Sequence, residues 1–208
     1  MAEGTMQFLP VFIDEKKVYA GFWKRLKALL IDFIITAPIL YMAAASRRSS
    51  YAAALIATLF MGGFYVLYHV FFNARLGGSP GKLAMGLKVT RSDGTPIGWT
   101  QAWMRSSVDA LHGLMFIYLY LFPVLHVDSA SYSAMSSSGR VHLLSPYRPP
   151  WYHVADSIWQ VWYWSEIGVI LFNQRKRALH DFMAGTVVIH ERFAKQAAGV
   201  HTKATAPA

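Results

Sequence analysis

Apolar residues in this chain come in long blocks rather than in the short alternations of a soluble domain. Four blocks, at about 26–45, 51–72, 108–125 and 155–172, are close to the roughly 17 to 25 residues a helix needs to cross the hydrocarbon of a bilayer. The fourth is short and carries Asp156, Gln160 and Glu166, so a re-entrant or interfacial helix is its structural alternative. The first is not a signal peptide: an acid interrupts it, and its basic flank lies far from the start.

The pattern changes between the second and third blocks. Residues 87–91 read as a strand, Asp93-Gly94 as a turn and 95–98 as a return strand, which predicts a small β-hairpin. Thr100 then reads as the N-cap of an amphipathic helix over 101–107 that feeds the third block. After the fourth block the pattern gives a short helix, a stop at Gly185 and a strand over 186–189 that can pair with the hairpin. The expected fold class is an all-α polytopic membrane protein of about four transmembrane helices with a small cytoplasmic hairpin and amphipathic helix. Its membrane domain covers 1–193, with a cytoplasmic loop at 73–107, an outer loop at 126–154 and a disordered tail at 194–208.

Composition agrees with that reading. Of 208 residues 54% are hydrophobic and only 15% charged, and the mean hydropathy is +0.29, a membrane profile. The net charge of +9 does not point to nucleic acid, because the basic residues sit between apolar runs rather than on a polar domain. Lipid headgroups are the expected anionic partner. With no cysteine in the chain, disulfides, thiolate catalysis and Cys-based metal sites are excluded.

Lysine and arginine set the expected orientation, since short basic loops stay cytoplasmic. Lys16, Lys17, Lys24, Arg25 and Lys27 precede the first block, Arg75, Lys82, Lys88, Arg91 and Arg105 lie between the second and third, and Arg175, Lys176, Arg177, Arg192, Lys195 and Lys203 follow the fourth. The other two loops hold Arg47 with Arg48, and Arg140 with Arg148. Both termini of this multi-pass chain are therefore expected in the cytoplasm.

Gly77-Gly78-Ser79-Pro80-Gly81-Lys82 superficially suggests a phosphate-binding loop. Such a loop wants four residues between its glycines and a hydroxyl residue after the lysine. Four residues between the glycines would put the first at position 76, which is Leu76, and Leu83 follows Lys82, so the spacing fails. The segment reads instead as the sharp exit from the second block, with Lys82 at the headgroups.

Three stretches, "YAGFWKRLKALLID", "GGSPGKLAMGLKVTRSDGTPIG" and "RKRALHDFMAGTVVI", occur in an order that resembles the RDD family of small bacterial membrane proteins, named for an arginine and two aspartates. The resemblance runs from about Tyr19 to Glu191 and implies a helical membrane domain whose activity is largely unassigned, transport being the usual suggestion. Carried onto this sequence, the trio is Arg25, Asp32 and Asp181.

The trio can also be read physically. A charge near the centre of a lipid-embedded helix costs about 2.5 to 3.5 kcal/mol on insertion scales, so it faces protein or water and finds a partner. Arg25 sits about 10.5 Å below Asp32 along a helix axis, and helical side chains lean toward the N-terminus, so Arg25 leans away from the acid. A direct bond between them is not expected. The expectation is that Arg25 meets Asp181 while Asp32 meets a group on another span. Arg105 and Asp109 stand i,i+4 apart and are candidates to pair with each other. Asp32, Asp109, His112 and Glu166 form a candidate proton or cation relay, because acids in low dielectric exchange protons near neutral pH. The plain alternative for all of them is helix packing.

The second block contributes Ala54, Thr58 and Gly62, a stripe of small residues suited to close helix packing. The 126–154 segment has a serine run followed by a Pro- and Trp-rich stretch, and reads as a flexible linker with a surface-lying continuation. Its histidines match no two-ligand spacing, so no metal is expected. No cofactor is expected either. Two functions remain open: a transporter or ion-translocating protein using Asp32 with Arg25 and Asp181, or a non-transporting accessory, assembly or regulatory subunit. Four spans enclose little volume, so a homo-oligomer or a larger membrane complex is expected. An enzyme is not, as no serine, histidine and acid fall at a catalytic spacing.

Overall fold

The computed structural model describes residues 9–194. In chain order it has a hairpin of β1 (Phe12–Ile13) and β2 (Lys16–Lys17), then helices α1 (Phe22–Ser46), α2 (Tyr51–Leu76) and α3 (Pro80–Ala84). Strand β3 (Leu87–Arg91) leads to α4 (Trp99–Arg105) and α5 (Ser107–Leu125). The short helices α6 (Ser129–Ala134) and α7 (Ser137–Leu144) come next, followed by α8 (Tyr152–Phe172), α9 (Leu179–Met183) and β4 (Thr186–His190). The tail expected to be disordered falls, beyond Ala194, outside the described residues.

Among the described residues, α1, α2 and α5 are long and apolar enough to cross a membrane. Their outward side chains are large and apolar: Phe33 is 64% exposed, Ile34 70% and Leu67 58%. Side chains of that kind, set all round a helix, are stable against lipid and not against water. The fourth expected block is a helix of 21 residues, α8, but it is not among those three. Along α1 the positions turned away from solvent are Arg25, Ala28, Asp32 and Thr36, a 3.6-residue period that puts the arginine and the acid on one face.

The chain divides into two compact units. The first contains the chain up to Phe33, Tyr68–Ser106 and the residues from Trp164 onward. At its centre β3 and β4 pair antiparallel over five residues, from Leu87↔His190 to Arg91↔Thr186. The Val18–Ala20 segment adds to the free edge of β4, with Ala20 N–H donating to the Val188 carbonyl and His190 N–H to the Val18 carbonyl. Alternate residues of β4 face opposite ways. Val187 and Ile189 pack with Val18, Tyr19 and Phe193. Val188 packs with Leu87, Val89, Ile97 and Ala28 of α1. A side chain of this size buried from water contributes about 1.5 to 3 kcal/mol, so the small sheet anchors α1 by its second face.

The expected hairpin forms differently. Strand β3 takes β4 as its partner, while the 95–98 segment makes one isolated bridge, Thr90↔Pro96. The reason is a shortage of donors: Thr95 N–H is spent on Asp93 Oδ1 at 2.9 Å, and Pro96 has none. The amphipathic helix starts earlier than expected, with Gly98 rather than Thr100 at its N-cap, because the Gln101 side chain reaches back to accept from Gly98 N–H.

The second unit contains Ile34–Leu67 and Ser107–Tyr163. Ala54, Thr58 and Gly62 are buried, and α2 meets α5 so closely that a Cβ on Gly62 would strike Ile117 and, at 2.9 Å, the Gly113 carbonyl oxygen. The serine-rich segment is ordered rather than a flexible linker. Asp128 caps α6 by accepting from Ser131 N–H, and Ser136 caps α7 by accepting from Gly139 N–H. The buried Tyr132 then ties the segment down through its hydroxyl, which donates to the Arg47 carbonyl at 3.0 Å.

Candidate functional site

The densest polar cluster lies in the first unit and forms around Asp181, whose side chain has no solvent exposure. Asp181 occupies the first turn of α9, where Oδ2 accepts from the Ala178 N–H at 3.0 Å. An acid there satisfies an otherwise orphaned amide and lies at the positive end of the helix. Two guanidiniums then reach it from other helices. Arg25 of α1 donates to Oδ2 at 2.9 Å, and Arg105 of α4 donates to Oδ1. Arg105 also donates to the Thr186 hydroxyl at 2.6 Å, and Arg177 donates to the backbone carbonyls of Thr186 and Asp181. Burial by itself would raise the Asp181 pKa, but the charges of Arg105 and Arg25 outweigh it and hold the carboxyl well below its usual range.

A second cluster surrounds Asp32. The acid is 4% exposed and accepts from the Tyr68 hydroxyl of α2 at 2.9 Å, the Ser79 hydroxyl at 2.5 Å and the Gly81 N–H at 2.8 Å. Ser79-Pro80-Gly81 opens α3, so Asp32 takes an N–H that no intrahelical carbonyl can take. Gly81 is required by the approach: a Cβ there would strike the Ala28 carbonyl oxygen and come within 2.8 Å of Asp32 Cγ. Lys82 Nζ lies 3.4 Å from Ser79 Oγ. Burial, with the Arg105 charge, pushes the Lys82 ammonium down to about 8, against the pull of Asp32. The lysine is thus turned toward the Asp32 cluster rather than laid at headgroups.

An arginine on Asp181 and a second aspartate seated on the Ser-Pro-Gly turn join the three sequence blocks into one structural unit. The RDD family model matches residues 19–185, most of the chain and all of the residues just described up to Gly185.

The chain belongs to the RDD family. It is accordingly a membrane protein, and its three helices long and apolar enough to cross a bilayer agree with that. No curated protein and no solved structure matches it.

The remaining candidates of this RDD chain fall in different places. Arg105 is the last residue of α4, and Asp109 follows Ser106 and the start of α5 at Ser107. Asp109 occupies the first turn of α5, where an acid complements the helix dipole. His112, in the second unit, stacks face to face on Trp159 with ring centroids 3.6 Å apart. Glu166, in the first unit, accepts from the His180 N–H at 3.0 Å, and its other oxygen lies 2.6 Å from His180 Nδ1. Asp32 and Glu166 therefore belong to two different groups of contacts, and His112 to an aromatic stack.

Tyr68, Ser79, Gly81, Arg177, His180 and Thr186 were not legible as site residues. Ser79 and Gly81 carried a signal in the Ser-Pro-Gly turn, which is a helix start as much as a chain exit. Tyr68 carried none, being one of eleven tyrosines in the chain.

Proposed function

We propose that this RDD chain is a non-transporting accessory protein of the bacterial cytoplasmic membrane, acting within a homo-oligomer or larger membrane complex and doing no catalysis. The observation that carries this reading is Asp181 held between Arg25 and Arg105 with no exposure. An acid that carries a proton or cation must be able to release one partner for another. A carboxylate held by two guanidiniums and a helix N-terminus works as a permanent junction between α1, α4, α9 and β4. Asp32, bound by three donors, fastens α1 to α2 and α3 in the same way. The basic residues flanking the spans support a topology with both termini in the cytoplasm. On that topology α8 serves as the fourth crossing, with Glu166 turned to His180 rather than to lipid.

The test is reconstitution of the purified chain alone in liposomes, with pH- and cation-gradient-driven flux and detergent melting measured for wild type, Asp32→Asn and Asp181→Asn. The expected result is no flux above empty liposomes and a large loss of stability in both variants. Flux that Asp32→Asn abolishes while the protein stays folded would sink the proposal.

A second reading rests on the Glu166–His180 contact at 2.6 Å, where both side chains are partly exposed. A carboxylate and an imidazole at that distance can pass a proton. On this reading the chain is a proton-coupled transporter, and Glu166→Gln abolishes flux without lowering the melting temperature.

A further inference from the structure

The second unit holds a cavity of about 250 Å³ lined by four arginines, Arg47, Arg48, Arg140 and Arg148, with no carboxylate in its wall. Two of them lie in the turn that follows α1, and two come from the α7 segment and its continuation. None of the four makes an ion pair among the described residues. The Arg47 guanidinium lies over the rings of Tyr120 and Phe116, at 4.7 and 5.9 Å from their centroids, and Arg148 lies over Tyr152 at 5.7 Å. Arg140 is buried and is used structurally: its Nε donates to the Tyr132 carbonyl at 2.8 Å and its NH1 to the Arg48 carbonyl. That bond fixes the α1–α2 turn, with Arg47 and Arg48, against α7.

Arg47 and Arg148 are half-buried and Arg48 is exposed, and bringing partly buried like charges together is unfavourable unless an anion joins them. Burial, with Arg148 and Arg48 reinforcing it and Tyr120 and Tyr132 opposing, lowers the Arg47 pKa. Dipole complementation at the end of α1 would account for Arg47 and Arg48. It does not account for Arg140 and Arg148, which arrive from a segment about 90 residues later in the chain.

The rest of the wall is apolar, including Ala44, Leu119, Pro123 and Leu144. Ala44 lies two residues before the end of α1, and Leu119 and Pro123 lie in the last two turns of α5. Both helices are long and apolar enough to span, so this end of them lies where hydrocarbon gives way to headgroups. We propose that the cavity binds the phosphate headgroup of an anionic phospholipid, with Arg47, Arg48 and Arg148 around the phosphate and an acyl chain against Leu119, Pro123 and Leu144. Guanidiniums suit phosphate because their N–H pairs match its oxygens, and the apolar wall favours a lipid over free phosphate.

The full chain in phosphatidylcholine nanodiscs doped with phosphatidylglycerol tests this, with lipid retained after extraction counted by native mass spectrometry. Wild type is expected to retain phosphatidylglycerol in preference to phosphatidylcholine, and millimolar inorganic phosphate not to displace it. Arg47→Gln with Arg148→Gln is expected to weaken retention by about thirtyfold, and Arg148→Gln alone by about fivefold. The single variant keeps the test open if the double one fails to fold, since the contact Arg148 makes is with a ring. Arg91→Gln, an exposed arginine of the first unit, is expected to change nothing. Equal retention by wild type and folded Arg148→Gln would overturn the proposal, as would an equal loss in Arg91→Gln, which would mean bulk charge alone. Displacement by inorganic phosphate would make it a small-anion site and overturn the lipid assignment.

Discussion

The Ser79 hydroxyl donates to Asp32 Oδ2 at 2.5 Å across a separation of 47 residues. It makes Asp32, the first aspartate of the RDD trio, an acceptor for the helix that leaves α2, with Gly81 N–H on the other oxygen. Through these bonds and that of the Tyr68 hydroxyl, Asp32 clamps α1 to α2 and α3.

The clamp predicts an unusual intolerance at Gly81. Gly81→Ala should destabilise the protein by about 1 to 3 kcal/mol or prevent folding, because neither the Ala28 carbonyl nor Asp32 can retreat. Gly63→Ala, where a Cβ meets nothing within 4 Å, should be neutral or slightly stabilising. Detergent melting of the two variants side by side checks both.

Asp181→Asn should cost about 3 to 5 kcal/mol, the magnitude for removing one partner of a buried charge group. It leaves Arg25 and Arg105 buried without their carboxylate. Removing Arg25 as well should cost less than the sum of the two single changes, since both share one partner. A double-mutant cycle read by thermal melting measures this.

The same group sets an acid dependence. The folded Asp181 pKa lies below its unfolded value, so the unfolded chain takes up a proton first as pH falls. Its stabilising contribution is complete above the unfolded pKa of about 3.9 and is lost as pH drops toward the folded value. Melting temperature between about pH 5 and pH 2 should therefore fall more steeply for wild type than for Asp181→Asn.

Lys82 acts in the opposite range. Its folded pKa of about 8 lies below the unfolded value of about 10.4, so below pH 8 the ammonium is carried at a cost. Stability from this residue should rise as pH goes from about 8 to about 10. Lys82→Met should raise the melting temperature at pH 7, with the gain shrinking toward pH 10.

Much of this architecture could be read along the chain. The three helices long and apolar enough to span, α1, α2 and α5, follow from runs of apolar residues, because helix formation in lipid depends on local length and hydropathy. The strands β3 and β4 follow from short runs rich in β-branched residues, and the Gly62 face from its small-residue spacing. The lean of side chains along a helix was enough to separate Arg25 from Asp32 and send each to a different partner. What needed the folded chain were the partners themselves. Which hydroxyl reaches Asp32, which second arginine reaches Asp181, and why β3 chooses β4 over the nearer 95–98 segment depend on contacts between residues far apart in sequence. The four arginines of the two least basic loops show the same division. Their identities and positions stand in the sequence, but only the folded chain, through bonds such as those of Tyr132 and Arg140 to the Arg47 and Arg48 carbonyls, puts them in the wall of one cavity. Local pattern determines elements because propensity and hydropathy act over a few turns; sites are decided by tertiary structure because a hydrogen bond depends on distance in space and not along the chain.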